Sequence, residues 1–289
     1  MWKEGDGGKD MSKLLELDEK QLRSFRKLVV IGDLHGDFES LQLALSITHH
    51  DRDGIIFLGD YGDRGPCGVE VINAVDSLLR KHLGNVFALK GNHEHYSPYG
   101  RPNFGLDLQS LISEAEAKTG SWEGYFNRKF KPFMDKLHLA AIAEGEILFV
   151  HGGVSSKIGG LDDLKSPSKE VEEAVLWSDP GEGKGEYFNS RGIGVVYGPD
   201  VSKSVCQKLG VKRIVRSHEP SRVMEAGGPC YSHDGRVITT STTTCGYPRY
   251  RPFILRIDPA DFSVKCLRVD ADQPVESEVV NCRSPFGDV

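Results

Sequence analysis

Acidic, imidazole and amide side chains follow short apolar runs at five places along the chain. The run at residues 55–58 is followed by Gly59, Asp60, Asp63 and Arg64. Its β-branched and aromatic content favours a buried strand, and the glycine allows a tight turn after it. A carboxylate at a strand end with an arginine close behind it is suited to a metal-bound phosphate. Taken alone, however, an acidic turn is more often ordinary hairpin or cap chemistry.

The same arrangement recurs at the other predicted strand ends. The metal-competent residues at the five ends are Asp33, His35, Asp60, Asn92, His151 and His218. Ligands of α/β sheets gather at the carboxyl ends of strands, so these side chains can converge although they are far apart in sequence. Carboxylate, imidazole and amide ligands suit Mn, Fe or Zn better than calcium. Their number favours two metals, about 3.5–4 Å apart, that share a carboxylate and hold a hydroxide for attack on phosphorus.

A single histidine does not make this case. Each one alone is better interpreted as a packed core or turn residue, and only the coincidence of five strand ends favours a metal site. The histidines that we interpret as surface or packing residues, because they lack a strand end, are His49, His50, His82, His95 and His138. His233 is a reserve candidate for the site, although its position beside Asp234 and Gly235 favours a turn.

Alternating strands and helices predict a layered α/β fold. Strands are predicted at residues 27–31, 55–58, 85–89, 139–143, 146–150, 213–216, 236–243 and 253–257. The pair at 139–143 and 146–150 has the spacing of a β-hairpin. Helices are predicted at residues 12–26, 38–48, 69–83 and 201–209. Aromatic residues at helical spacing between residues 122 and 137 are expected to pack in the core.

The composition is that of a globular protein, with 38% hydrophobic and 27% charged residues among 289. The net charge of −6 argues against a nucleic-acid or anionic-membrane surface. The six cysteines are dispersed, which favours reduced thiols over a disulfide framework or a zinc finger. No apolar stretch approaches the roughly 20 residues that a membrane span needs. The first 20 residues are polar and lack the apolar centre of a signal peptide. We therefore expect a cytoplasmic monomer with no nucleic-acid or membrane partner.

Seven motifs occur in order between residues 27 and 247. They read GDLHG at 32–36, GDYGDRG at 59–65, GNHE at 91–94, HGG at 151–153, LWSDP at 176–180, SRG at 190–192 and RSH at 216–218. In order and spacing they resemble the signatures of the phosphoprotein phosphatase (PPP) family of serine/threonine phosphatases, within the calcineurin-like metallophosphoesterases. One such motif is weak evidence, but seven in order are highly specific. The resemblance implies an α/β fold of the αββα sandwich type, with a metal site at the carboxyl ends of its strands.

The resemblance also implies how the metal ligands are shared. The residues implied for the first metal are Asp33, His35 and Asp60. The residues implied for the second metal are Asp60, Asn92, His151 and His218. Asp60 would therefore bridge the two ions. The expected cofactors are two divalent cations, with manganese as the first expectation in vitro and iron and zinc as alternatives.

Catalytic roles follow from the same resemblance. It implies that Arg64 and Arg191 clamp the phosphate oxygens, with Asn92 assisting. It also implies that His93 protonates the leaving oxygen while Asp63 orients the imidazole. The chemistry agrees, because a phosphate monoester dianion needs charge neutralisation and an alkoxide leaving group needs an acid. The alternatives are a structural salt bridge to a neighbouring aspartate for Arg64 and a solvated loop position for Arg191.

Two departures from the family pattern bear on substrate preference. Familiar eukaryotic members carry a SAPNYCG stretch whose tyrosine lies over the active site, whereas STTTCG stands at residues 241–246 of this chain. Lys90 stands where those members usually have arginine. These departures indicate a prokaryotic-like or divergent branch and leave a strict preference for serine and threonine open.

We expect a metal-dependent phosphoprotein phosphatase that hydrolyses phosphoserine and phosphothreonine in protein substrates by attack of a metal-bridging hydroxide. Phosphotyrosine is a further candidate substrate. One alternative is a hydrolase of dinucleoside polyphosphates or nucleotides, and another is a metal-binding scaffold with weak catalysis. The catalytic domain is predicted at residues 27–270, between an N-terminal tail with a short helix at 1–26 and a C-terminal tail at 271–289.

Overall fold

The computed structural model describes residues 13–105, 110–246, 251–269 and 275–277. The strands within these ranges are β1 (Leu14–Leu17), β2 (Leu28–Ile31), β3 (Gly54–Phe57), β4 (Val86–Ala88), β5 (Ala140–Ala143), β6 (Ile147–Val150), β7 (Asp179–Pro180), β8 (Glu186–Phe188), β9 (Val195–Tyr197), β10 (Arg213–Arg216), β11 (Cys230–Ser232), β12 (Val237–Thr239), β13 (Phe253–Ile257), β14 (Val264–Arg268) and β15 (Val275–Ser277). The α-helices are α1 (Glu19–Ser24), α2 (Phe38–Ser46), α3 (Gly68–Lys81), α4 (Leu111–Thr119), α5 (Trp122–Tyr125), α6 (Lys131–Met134), α7 (Leu161–Lys165), α8 (Lys169–Trp177), α9 (Pro199–Leu209) and α10 (Pro220–Ala226). Asn92–Glu94 forms a 3-10 turn, and a π-helical turn at Phe126–Phe130 joins α5 to α6. None of these described helices has the length and apolarity needed to cross a membrane.

The described strands form two six-stranded sheets and one small sheet. The first sheet has the order β1-β5-β6-β10-β12-β11, the second has the order β15-β14-β13-β2-β3-β4, and the small sheet has the order β7-β9-β8. In the second sheet β2, β3 and β4 are parallel neighbours. In the first sheet β6 and β10 are parallel neighbours, and β5 and β6 form the predicted antiparallel hairpin. The five strands that precede the predicted metal ligands therefore make two parallel groups, one in each sheet.

Apolar side chains pack the two large sheets face to face. Val30 and Ile56 from the second sheet and Phe149 and Val215 from the first belong to one buried cluster. Side chains alternate between the two faces of a strand, so the residues next to these in sequence point away from the other sheet, toward the helices. Those of the second sheet pack against α2 and α3, and those of the first pack against α8 and α9. The layers follow the order helix, sheet, sheet, helix, which confirms the predicted αββα sandwich.

The aromatic segment that contains α5 and α6 packs in the core, as predicted. Phe126, Phe130 and Phe133 are buried on the helical side of the second sheet. The ring of Tyr96, which follows the GNHE motif, lies 5.2 Å from the ring of Phe130. The chain beyond the motif is therefore attached to the same apolar cluster.

The predicted helix at residues 12–26 is wrong in its first half. Leu14–Leu17 forms β1, which pairs in parallel with β5 at the edge of the first sheet. Asp18 then begins α1 by accepting the Gln21 N–H at 2.7 Å. The leucine spacing suits a helix, but backbone pairing with β5 and burial of Leu14 and Leu17 override this local pattern.

Two predictions near the C-terminus also need correction. The strand predicted at residues 236–243 ends at Thr239, because the N–H groups of Thr242 and Thr243 donate to the carbonyl of Asp33 instead of to a neighbouring strand. Val275–Ser277, assigned by sequence to a tail, forms β15 and pairs with β14. The rest of that predicted tail, like residues 1–12, lies outside the described residues.

Replacing Phe149 with alanine is expected to lower the free energy of unfolding by about 3–5 kcal/mol. The ring is fully buried between the two sheets, so its loss leaves a cavity. Urea unfolding followed by circular dichroism measures the change. Leu83→Ala is the matched control, because Leu83 is 84% exposed. A loss below about 1 kcal/mol for Phe149→Ala would contradict the packing described above.

Candidate metal centre

Two groups of buried side chains lie where strands of both large sheets end. One contains His35, Asp60 and His93, and the other contains Asp60, His151 and His218; in each group the ligating atoms lie within 4.8 Å of one another. Asp60 belongs to both. Its Oδ2 lies 3.4 Å from His35 Nε2, and its Oδ1 lies 3.4 Å from His151 Nε2. The carboxylate predicted to bridge two metals thus lies between the groups, and its role as a ligand stays a prediction.

Asp33 and Asn92 complete the predicted set. Asp33 Oδ1 accepts the Ser217 hydroxyl at 2.6 Å and the His218 N–H at 3.1 Å. Asn92 Oδ1 lies 2.8 Å from His151 Nε2. The structure therefore brings all six predicted metal ligands together, and all six are buried.

Three polar atoms of this set are buried with no hydrogen-bond partner among the described residues. They are Asp33 Oδ2, His35 Nε2 and His218 Nε2. An unsatisfied buried polar group costs about 1–3 kcal/mol, so several at one place call for a bound group that satisfies them. Carboxylate and imidazole donors suit divalent transition-metal cations. The residues present therefore fit a divalent metal centre.

Hydrogen bonds orient two of the buried imidazoles, and burial keeps two of them neutral, whereas at His151 burial is outweighed by the charge of Asp60, which raises the pKa of that ring. His35 Nδ1 lies 3.1 Å from the Gly62 carbonyl oxygen, and His151 Nδ1 lies 2.9 Å from the Leu58 carbonyl oxygen. An N–H donated to each carbonyl leaves Nε2 as the ligating atom. Burial lowers the pKa of His35 and of His218 well below the usual value. Neutral rings are the ones that bind metal.

His93 and Asp63 form a second buried pair beside these ligands. His93 Nδ1 lies 2.7 Å from Asp63 Oδ2, while Asp63 Oδ1 accepts the Leu111 N–H at 2.5 Å where α4 begins. Burial alone would lower the pKa of His93, but the charges of Asp60 and Asp63 outweigh it, and the pKa is raised. The exposed Arg64 extends toward this ring, with Nη2 3.4 Å from His93 Nε2. The two carboxylates therefore favour the protonated form of His93.

The backbone at the site uses conformations that non-glycine residues rarely adopt. φ is +43° at His35, +56° at Asp60, +61° at Asp63, +67° at Arg64 and +75° at His218. Such left-handed residues cost of the order of 1–3 kcal/mol each and persist only where the surrounding structure enforces them. Their concentration at the strand ends indicates loops shaped for function at the expense of stability.

Glu94 joins the loops that follow β3 and β4, a role that the sequence alone does not reveal. Its carboxylate accepts the N–H groups of Asp60 at 2.8 Å, Tyr61 at 3.0 Å and Gly91 at 3.0 Å. Burial, and then the charge of Asp60, raises the pKa of Glu94 to about 7. Its place in the GNHE motif is the signal that marks it. Glu94 fixes the backbone that carries Asp60.

Arg191 is fixed by an ion pair. Its Nε lies 2.9 Å from Asp179 Oδ2, while Asp179 Oδ1 lies 2.9 Å from a guanidinium nitrogen of the fully buried Arg216. After burial and the charge of His151, the charge of Arg191 contributes to the lowered pKa of His218. The sequence alone does not reveal this role of Asp179, although the LWSDP motif contains the residue.

Two further residues shape the surroundings of His93. The ring of Phe104 lies 4.8 Å from the His93 ring. A Cβ added at Gly62 would lie 3.2 Å from Leu111 Cβ, so the glycine lets the start of α4 approach and donate its N–H to Asp63. Gly62 belongs to a recognised motif, whereas no periodicity or motif marks Phe104.

The remaining flagged residues have structural roles. His233 Nδ1 lies 2.8 Å from Ser202 Oγ and its Nε2 lies 2.8 Å from the Gly181 carbonyl oxygen, so both ring nitrogens are engaged away from the predicted ligands. His233 therefore does not join the site. Lys90 Nζ binds Glu172 Oε1 in α8 at 2.7 Å.

A profile of the calcineurin-like phosphoesterases matches residues 26–222, which is more than half of the chain. The chain belongs to the calcineurin-like phosphoesterase family. This phosphoesterase is 32% identical to serine/threonine-protein phosphatase C23G10.1 of Caenorhabditis elegans, over 66% of the chain and 42% of the relative. It is 30% identical to human serine/threonine-protein phosphatase 5, over 79% of the chain and 45% of the relative. It thus spans less than half the length of these relatives, which confirm the resemblance to the PPP branch.

Solved structures share the fold of this phosphoesterase. A protein serine/threonine phosphatase from Saccharomyces cerevisiae, with similarity to human phosphatase PP5, matches with a TM-score of 0.74 and 23% identity, over 93% of this chain and 86% of that one. A cold-active protein-tyrosine phosphatase from a psychrophilic Shewanella species matches with a TM-score of 0.62 and 16% identity, over 92% of this chain and 82% of that one. At these identities the likeness concerns the fold alone.

Replacing Asp60 with asparagine is expected to remove most bound divalent metal from this phosphoesterase, because it neutralises the carboxylate that both ligand groups share. Plasma mass spectrometry after dialysis against manganese measures metal per chain, with about two ions expected for the unchanged protein. Asp76→Asn is the matched control, since Asp76 lies in α3, pairs with Lys136 and belongs to neither ligand group. Equal metal content in Asp60→Asn and the unchanged protein would exclude the bridging role.

Proposed function

We propose that this phosphoesterase hydrolyses phosphate monoesters on serine and threonine residues of proteins. The observation that carries the proposal is the His93–Asp63 pair, 2.7 Å apart and next to the buried aspartate and histidine groups. A proton donor oriented beside a divalent-metal centre suits displacement of an alkoxide from phosphorus. The serine/threonine phosphatases among the curated relatives support this substrate class.

In this proposal the binding residues neutralise and orient the phosphate. The residues that hold two divalent cations, with manganese as our first choice, are Asp33, His35, Asp60, Asn92, His151 and His218. Bound cations would neutralise phosphate charge and activate water as the nucleophile. Arg64 and Arg191 bind the phosphate oxygens through their planar guanidinium groups, and the Asn92 amide assists them. The Asp179 carboxylate limits the freedom of Arg191 before substrate arrives.

His93 supplies the proton that the leaving group needs. As the bond between phosphorus and the ester oxygen breaks, the developing serine or threonine alkoxide takes the proton from His93 Nε2. Asp63 accepts the Nδ1–H, which keeps Nε2 directed at the substrate and stabilises the charged ring. General acid catalysis of this kind contributes about 10²–10⁴-fold to a rate.

Phosphotyrosine is a second candidate substrate in this proposal. The stretch at residues 241–246 reads STTTCG, with no aromatic side chain. Its residues 241–243 are buried, and the N–H groups of Thr242 and Thr243 bind the Asp33 carbonyl. Residues 241–246 therefore place no aromatic ring beside the site, and this supports a phosphorylated ring as a substrate. We further propose that the phosphatase acts as a monomer in the cytoplasm on phosphorylated proteins, and that its net charge of −6 disfavours nucleic acid.

Replacing His93 with asparagine is expected to slow hydrolysis of a phosphoserine peptide by about 10²–10⁴-fold. Hydrolysis of p-nitrophenyl phosphate should slow far less, because p-nitrophenolate leaves without a proton. The measurement is kcat on both substrates with manganese present. His233→Asn is the matched control, because it removes a hydrogen-bonded histidine outside the site. Equal losses on the two substrates would exclude His93 as the proton donor.

Turnover of phosphopeptides and of diadenosine tetraphosphate, compared in one panel, tests the substrate class. We expect kcat/KM to be at least about tenfold higher for phosphoserine and phosphothreonine peptides, a difference of about 1.4 kcal/mol in transition-state stabilisation. A preference for the dinucleotide would favour a nucleotide hydrolase instead. If the metal-loaded protein turned over neither substrate nor p-nitrophenyl phosphate, the metal-binding scaffold would be the better interpretation.

A further inference from the structure

The small sheet presents an open strand edge close to the proposed phosphate site. Its order is β7-β9-β8, so β8 lies at an edge, and no described strand pairs with the outer side of β8. All three residues of β8 are exposed. The N–H and C=O groups along such an edge form a template on which another polypeptide can add a strand.

Two neighbouring aromatic side chains stand on this edge. Tyr187 is 46% exposed and Phe188 is 83% exposed. Among the described residues, the other large hydrophobic side chains with such exposure, Leu83 and Tyr99, are distant from them in sequence. Large aromatic rings lose little conformational entropy when they are covered, which makes them effective anchors at binding surfaces.

The hairpin that carries these rings is held in place. β8 pairs antiparallel with β9. The Glu186 carboxylate accepts the Ser156 hydroxyl at 3.1 Å and also the Ser156 N–H. The Gly185 N–H donates to Asp200 Oδ1 at 2.8 Å. An edge fixed in advance loses little entropy on binding, which favours affinity.

β8 also leads directly into the residues that hold Arg191. Asn189 follows Phe188, and its Nδ2 donates to the Trp177 carbonyl at 3.0 Å and to Asp179 Oδ2 at 3.3 Å. Arg191 binds the same carboxylate at 2.9 Å. The three residue steps from Phe188 to Arg191 span at most about 11 Å. A polypeptide paired with β8 can therefore place a phosphorylated residue at Arg191 a few positions further along.

We propose that β8 binds the protein substrate as an added β-strand. On one face of the extended sheet Phe188 contacts an apolar side chain about three to five residues from the phosphorylated residue, and on the other face Tyr187 contacts the neighbouring peptide residue. The inference rests on the proposed phosphatase function and specifies its substrate as an extended phosphopeptide with a nearby apolar residue. The phosphate dianion complements the charge of Arg191, and the peptide backbone complements the open edge. Each half of this ligand has its own binding surface on the protein.

The test is the double variant Tyr187→Ser, Phe188→Ser. KM for a phosphoserine peptide with an apolar flank is expected to rise about tenfold at unchanged kcat, as for the loss of an interface anchor. Kinetics on p-nitrophenyl phosphate should not change, because that substrate is too small to reach β8, and this also shows that the variant is folded. Leu83→Ser is the matched control, since Leu83 is 84% exposed and precedes the amino end of β4.

Peptides N-methylated at alternate backbone positions test the pairing itself. Alternate N–H groups of an added strand point toward β8, and the others point away from it. Peptides methylated at the N–H groups that face β8 are expected to have a KM about tenfold higher, and peptides methylated at the other N–H groups an unchanged KM. If the protein were an active phosphatase but neither the double variant nor either methylation series changed KM, the strand-addition inference would be overturned and the proposed function would stand. If the unchanged protein hydrolysed no phosphopeptide, the proposed function would be overturned and the inference with it.

Discussion

The Asp60 carboxylate is the constraint on which the rest of the site depends. Its two oxygens face His35 from the second sheet and His151 from the first, each at 3.4 Å, and Oδ1 also accepts the His93 N–H at 3.0 Å. Burial acts to raise the pKa of Asp60, but the charges of His151 and His93 outweigh it, and the pKa is held well below its usual value. A buried, charged carboxylate of this kind is tolerated only with such partners around it. The ends of strands from both sheets must therefore meet at one point.

Close backbone contacts make that meeting possible. A Cβ added at Gly59 would lie 2.5 Å from the Gly91 nitrogen, and one added at Gly152 would lie 2.5 Å from the backbone of Leu176. The glycines of the GD, GN and HGG motifs are thus steric requirements of loops that lie against one another. Glu94 secures the first of these contacts by accepting N–H groups from both loops. The left-handed backbone conformations of His35 and His218 then place their side chains in the two groups around Asp60.

Local patterns predicted much of the fold and the convergence of the predicted ligands, because apolar runs that stop at polar residues reflect strands that end at a polar site. What they missed depends on distant contacts. Leu14–Leu17 has leucines at helical spacing, yet β5 makes it a strand. Phe104 contacts the His93 ring from a stretch with no pattern of its own. Asp179 and Glu94 lie inside recognised motifs, but their contacts are seen only in the folded structure. Asp179 pairs with Arg191, and Glu94 accepts the Asp60 N–H.

The spread of the predicted ligands along the chain has a thermodynamic consequence. They run from Asp33 to His218 and come from both sheets, so an unfolded chain cannot assemble the complete set. Two cations bound by this set would bind almost exclusively to the native state, and mass action would add their binding free energy to the stability of the sandwich. Resistance to unfolding and availability of divalent cations would then be linked in this protein, through the same buried atoms that have no hydrogen-bond partner.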